Sequence, residues 1–196
     1  MKLYYSPGAC SLSPHITLRE AGQKFDLVKV DLGSKKTESG GDYTQVNAKG
    51  YVPALELDNG EVLIVQYIAD KAPGAKLAPA NGTMERYKLQ EWLNFITSEL
   101  HKGFGGLFND KMPDAAKEIM RTNLLRRLTH LDKHLASNDY VLGSSFSVAD
   151  PYLFTVLGWG KWAGIDIDAF PAVKAYLARI GSRPKVREAM TAEGLV

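Results

Sequence analysis

The period of the apolar positions divides this chain in two. Up to about residue 70, strand-like and helix-like signals alternate. Leu3-Tyr4-Tyr5 reads as a short buried strand cut off by Ser6-Pro7-Gly8. A helix is predicted from about residue 13 to 21, with Pro14 near its start and Gly22 as its stop. Residues 26–32 alternate, Val28, Val30 and Leu32 on one face and Lys29 and Asp31 on the other, the period of a half-buried strand. A polar loop (33–42) and a short segment to Asn47 follow. Val52-Pro53 then introduces the alternating Ala54-Leu55-Glu56-Leu57. Asn59-Gly60 favours a type I′ hairpin turn, with Val62-Leu63 as the returning strand. The order β-α-β, β-β, helix predicts an α/β arrangement with a mixed sheet.

Beyond Pro73 the period becomes helical throughout. Residues 73–82 are rich in Pro, Gly, Ala and Asn and read as a connection. The expected organisation is a first domain over 1–74, a linker over 75–82 and an all-helical domain over 83–196. Leu89, Leu93, Ile96 and Leu100 form one stripe; Leu124, Leu128, Leu131 and Leu135 form a second; Val148, Tyr152, Val156 and Trp159 form a third. Ser147-Val148-Ala149-Asp150 resembles a capping box, with Phe146 before it placed as a hydrophobic staple.

Composition narrows the partners. The 196 residues are 45% hydrophobic and 23% charged, ordinary for a soluble globular protein and enough for a sizeable core. The net charge of +2 comes without a dense Lys/Arg run, so neither nucleic acid nor an anionic membrane is expected as a partner. No apolar run approaches the roughly 20 residues that span a bilayer. The start lacks the apolar core of a secretory signal, and one cysteine allows no intramolecular disulfide. The cytoplasm is the expected compartment.

Two residues stand out chemically. Cys10 follows a Ser-Pro-Gly-Ala turn just before a helix, where amide N–H groups and the helix dipole favour a thiolate and a lowered pKa. The alternative is a small buried apolar residue. His101 ends the first stripe near Gly103, as a packed residue, a partner of the helix dipole or a catalyst. Ser11 is either a helix cap or a donor to sulfur. Tyr4 and Tyr5 read as sheet residues, and Trp92, Trp159 and Trp162 as packing residues. No metal site is expected: His15, His101, His130 and His134 share no ligand pattern with Cys10, and the i, i+4 pair His130 and His134 reads as surface.

Several of these segments together resemble the bacterial beta-class glutathione transferases, from end to end. They are the opening Met-Lys-Leu-Tyr-Tyr-Ser-Pro-Gly-Ala-Cys-Ser-Leu-Ser-Pro-His, the loop Gly50-Tyr51-Val52-Pro53-Ala54-Leu55, Ile64-Val65-Gln66-Tyr67-Ile68-Ala69-Asp70, Leu100-His101-Lys102, and Ser147-Val148-Ala149-Asp150 with Tyr152-Leu153-Phe154. The resemblance implies a thioredoxin-like N-terminal domain followed by an all-helical one, a homodimer, and conjugation of glutathione to small hydrophobic electrophiles in detoxification. It places the active-site cysteine at Cys10 and implies that His101 polarises the glutathione thiol. Val52-Pro53 matches the family's cis-proline turn, which pairs with the tripeptide backbone. Lys35 and Lys102 match residues near its glycine carboxylate and the rest of the peptide, and Asn94 lies on the helix carrying His101.

One segment departs from that pattern. The family places an acidic residue followed by Ser or Gly between its fourth strand and third helix, where the pair binds the γ-glutamyl end. Here Leu63 runs directly into Ile64, about five residues fewer than the family pattern has, and the helix has no good N-cap, which costs about 1 kcal/mol. Either the deletion is real, or residues of the protein are missing from this sequence. The leading expectation is a glutathione transferase, with mixed-disulfide exchange or reductive dehalogenation through Cys10 as a variant. The alternative is a non-catalytic relative that binds hydrophobic ligands or partners.

Overall fold

The computed structural model describes residues 1–58, 62–63 (backbone) and 65–196. The Asn59-Gly60 turn, the Leu63–Ile64 junction and with it the N-cap of the following helix therefore lie outside the described residues. The chain forms two compact units: residues 1–78 with 183–196, and residues 79–182.

In the first unit, β1 (Lys2–Tyr5), α1 (Leu12–Glu20), β2 (Asp26–Asp31), β3 (Lys36–Thr37), β4 (Ala54–Glu56), β5 (Val62–Leu63) and α2 (Val65–Lys71) follow in chain order. The sheet order is β3-β2-β1-β4-β5, with β1 and β2 parallel and the other pairs antiparallel. This is the expected mixed sheet of a thioredoxin-like domain, with one strand more than the pattern showed. β3 lies inside the loop expected over 33–42, because a two-residue strand has no period to read. Leu3, Leu18, Leu55, Leu57 and Ile68 build one core cluster. Tyr4, Val30, Tyr43, Val52 and Ala54 build another. Strand pleating sends alternate residues of β1 and β4 into each. Gly22 ends α1 in the left-handed conformation, at φ 64°.

The last helix departs from the expected boundary at 83–196. α9 (Pro184–Ala192) packs on α1 within the first unit. Helical spacing shows that a helix has an apolar face, here Val186 and Ala189, but not which core that face serves. Polar contacts fix the choice. Arg183 makes a two-pronged ion pair with Glu20, Nε to Oε1 at 2.7 Å and an Nη to Oε2 at 3.0 Å. Just beyond α9, Glu193 bonds His15 of α1 at 2.8 Å, both side chains fully buried.

The second unit holds α3 (Met84–Phe95), a π-helical stretch (Ile96–His101), α4 (Lys102–Leu107), α5 (Asp114–Leu135), α6 (Ala149–Leu157), α7 (Gly160–Ala163) and α8 (Pro171–Gly181). The leucine stripes of α3 and α5 are buried as their spacing requires. Thr83 caps α3, its hydroxyl accepting from the Arg86 N–H. At α6 the capping box is half formed: Asp150 Oδ2 accepts the Ser147 N–H at 2.7 Å, while Ser147 Oγ accepts from Ala149 rather than Asp150. Phe146 stands edge-to-face with Tyr140, 5.8 Å between centroids. No described helix is long and apolar enough to cross a membrane.

Candidate functional site

Cys10 lies in the turn between β1 and α1, in the first unit. Its S–H donates to the Val52 carbonyl at 3.0 Å, and the Val52–Pro53 bond is cis. The helix-start effect expected from sequence is present, since the Cys10 and Ser11 amides both lower the thiol pKa. Burial outweighs them and pushes the thiol up to about 11. The expected lowering is thus reversed: a sequence shows the amides at a helix start, not how little water reaches the sulfur.

The Cys10 turn is held from two sides. Ser11 is fully buried and clamps Ser6: its hydroxyl donates to the Ser6 carbonyl and accepts the Ser6 N–H, both at 3.1 Å. It makes no cap bond to α1. The cap expected for Ser11 is therefore not formed, its proton going to the Ser6 carbonyl instead. From the other side, Glu193 Oε2 accepts the Gly8 N–H at 2.9 Å. The opposite oxygen pairs with His15 Nδ1, and Arg19 Nε donates to His15 Nε2 at 2.9 Å. Because Arg19 can only donate, a neutral His15 carries its proton on Nδ1 and donates to Glu193.

The loop before Pro53 is also tied down. Lys35 Nζ donates to the Gly50 carbonyl at 3.0 Å. The Tyr51 carbonyl accepts from the Tyr43 hydroxyl at 2.7 Å and from Asn47 Nδ2 at 2.8 Å. Lys35 has a left-handed backbone, φ 57°, which costs a non-glycine residue about 1–2 kcal/mol. Its neighbours hold it there, with its N–H on Asp31 and its carbonyl accepting from Tyr43. The structure thus brings Cys10, Val52, Pro53 and Lys35 onto one loop system. The Val52 carbonyl accepts the Cys10 S–H on one of its two lone pairs.

In the second unit, His101 closes the π-helical stretch and Lys102 is exposed beside it. His101 Nδ1 is 2.7 Å from the Tyr152 hydroxyl. The edge of Trp159 meets the imidazole, centroids 4.9 Å apart and planes at 74°. Burial, and secondarily the charge of Lys102, hold the His101 pKa below its ordinary 6.5. Asn94 is exposed on α3. Tyr152 and Trp159 were legible only as members of an apolar stripe, yet both contact His101. Of the remaining histidines, His130 is exposed. Half-buried His134 lies against Trp92 and donates from Nε2 to Val141. Among the described residues, no group of three or more His, Cys, Asp or Glu could hold a metal ion.

A thioredoxin-like sheet with a cysteine at the start of its first helix, bonded to the carbonyl before a cis-proline, in one chain with an all-helical unit, defines a glutathione-transferase architecture. The glutathione S-transferase N-terminal domain family matches residues 1–70, and the C-terminal domain family matches residues 95–184. Glutathione S-transferase GstA of Escherichia coli O157:H7 is 45% identical over 200 residues, covering 100% of both chains. A sphingomonad glutathione S-transferase solved with glutathione is 50% identical, with a TM-score of 0.96 over 100% of both chains. A bacterial beta-class enzyme from Sphingomonas chungbukensis is 52% identical, with a TM-score of 0.96 and the same full coverage. The chain belongs to the glutathione transferase family and is a glutathione-dependent transferase. Within that family it is a bacterial beta-class member.

Proposed function

We propose that this transferase adds the glutathione thiol to small hydrophobic electrophiles, with Cys10 turning its S–H from the Val52 carbonyl to the glutathione sulfur and His101 accepting the thiol proton. The observation that carries the reading is the state of Cys10, a thiol raised to about 11 and already acting as a hydrogen-bond donor. At pH 7 about one Cys10 in ten thousand is ionised. A group in that state stabilises a neighbouring thiolate by donating to it, and is a poor nucleophile itself. In the reaction the glutathione S–H bond breaks, its electron pair stays on sulfur and its proton passes to the imidazole. The sulfur–carbon bond then forms as the leaving group departs with its own bonding pair.

Lys35 and Lys102 supply cations for the glutathione carboxylates, and the backbone at Val52-Pro53 pairs with the cysteinyl residue, leaving Asn94 as an outer polar contact. We place the enzyme in the cytoplasm as a homodimer that detoxifies electrophiles. The support is a single cysteine, held as a thiol, and the likeness to bacterial transferases. Mixed-disulfide exchange is disfavoured because it needs the Cys10 thiolate. The non-catalytic reading rested on the short connection after Leu63, which lies outside the described residues, and family membership favours catalysis.

Retention on immobilised glutathione, combined with turnover of a generic aryl halide, tests the reading. The wild type binds and turns over. Cys10→Ser, still a donor, keeps conjugation within about tenfold, ~1.4 kcal/mol of barrier, and loses all thiol-disulfide exchange. A wild type that neither binds nor turns over sinks the enzyme reading, and a thousandfold loss of conjugation in Cys10→Ser sinks the donor role.

A further inference from the structure

The helix that begins at Met84 changes winding just before His101. Between Ile96 and His101 it is π-helical, and the Lys102 N–H reaches back five residues to the Thr97 carbonyl. Such insertions recur at functional sites because they move side chains off the α-helical period. Here Thr97 and His101 meet the same hydroxyl, that of Tyr152 on α6. Tyr152 Oη is 3.3 Å from Thr97 Oγ1 and 2.7 Å from His101 Nδ1.

Counting protons fixes the direction of this chain. A hydroxyl carries one hydrogen, and a carbonyl can only accept. Thr97 Oγ1 lies 2.8 Å from the Leu93 carbonyl and must donate to it. Thr97 is then an acceptor toward Tyr152, whose single proton is directed to Thr97. With that proton directed to Thr97, the contact to His101 is satisfied only if His101 Nδ1 bears a hydrogen and donates it to Tyr152 Oη. In a neutral imidazole, Nε2 is then the nitrogen with the free lone pair.

We propose that Thr97 and Tyr152 are positioning residues which hold His101 as the Nδ1–H tautomer, so that Nε2 is the atom that accepts a proton. The role rests on the reading that His101 takes the glutathione thiol proton. The same chain serves both protonation states, because Nδ1–H donates to Tyr152 before and after Nε2 gains its proton. The opposite tautomer would offer Nε2–H and would have to accept at Nδ1, against the Tyr152 hydroxyl. Trp159, edge-on at 4.9 Å, keeps the ring from turning.

The test is the His101 tautomer, read by long-range 15N–1H correlation on the full-length protein above pH 7.5, beside steady-state kinetics. The wild type is expected to carry its proton on Nδ1. Thr97→Val, isosteric but without the acceptor, turns the Tyr152 proton onto Nδ1 and moves the imidazole hydrogen to Nε2. Its kcat falls at least tenfold, with the KM for glutathione within twofold. Thr97→Ser restores both the tautomer and the rate, which a purely structural effect of the substitution would not do. An Nε2–H imidazole in the wild type, or a Thr97→Val variant that keeps the Nδ1–H form, overturns the positioning role. If the tautomers behave as expected but His101→Gln turns over like the wild type, the proton-acceptor reading fails, and the positioning role with it.

Discussion

Raising the pH is a direct probe of Cys10, because the chain has no other cysteine and any thiol alkylation reports on this residue alone. An ordinary thiol, at 9.0, is about one per cent ionised at pH 7, whereas Cys10 at about 11 is about a hundredfold less so. A more basic thiolate is intrinsically more reactive, with a Brønsted slope of about 0.4–0.5, which returns roughly six- to tenfold over two pKa units. Iodoacetamide should therefore modify Cys10 at pH 7 at least tenfold more slowly than a free cysteine peptide, before burial slows it further. The profile is the sharper reading. The peptide's rate levels off near pH 9, whereas that of Cys10 keeps rising about tenfold per pH unit up to pH 10. Intact-mass kinetics across pH 6–10 give both curves. A plateau below about pH 8.5, or a Cys10 faster than the peptide at pH 7, refutes the argument that burial outweighs the amides of the helix start. Cys10 would then be a nucleophile in waiting, and exchange chemistry would return as the leading reading.

Asp150 is fully buried and accepts four hydrogen bonds, from the Val141 and Ser147 N–H groups and the Ser147 and Tyr176 hydroxyls. Asp150→Ala orphans two buried amides, at about 1–3 kcal/mol each, and should lower the unfolding free energy in urea by about 2–6 kcal/mol; a loss under about 1 kcal/mol contradicts this. Glu193→Gln leaves one amide oxygen for two donors, Gly8 N–H and His15 Nδ1–H, and turns an NH2 toward the other. A cost of about 2 kcal/mol is expected in the same assay, and a neutral result would show that the tie between the C-terminal segment and the Cys10 turn is dispensable. In the pH profile of kcat/KM, the active base is the neutral imidazole. Since burial and Lys102 disfavour its charged form, activity is lost only as pH falls below 6.5. An acid limb centred above 6.5, or one surviving in His101→Gln, goes against His101 as the base.

What could be read from the sequence follows from how local each determinant is. The stripes of α3 and α5 are set by backbone period, so their burial was legible residue by residue. The strands were less legible: of the face expected over residues 26–32 only Val30 is buried and Leu32 is exposed, while β4 buries both Ala54 and Leu55 because each of its faces meets a core cluster. The bond from Cys10 to the Val52 carbonyl was not legible: the resemblance pairs Val52-Pro53 with the tripeptide, and nothing in either segment names the other across 42 residues. The π-helical turn escaped altogether. Leu89, Leu93, Ile96 and Leu100 stay buried on spacings that an α-helix also satisfies, so the apolar pattern is blind to the extra backbone residue that brings Thr97 and His101 to one hydroxyl. The Cys10 pKa was misjudged for a related reason. A helix start is local and visible, whereas desolvation is a sum over the whole surrounding fold. The Glu193–Gly8 bond is the extreme case, joining residues 185 apart. It makes the geometry of the cysteine turn depend on a helix that the sequence pattern assigns to the other domain. A truncation before α9 should therefore disturb Cys10 more than any surface change in the first unit.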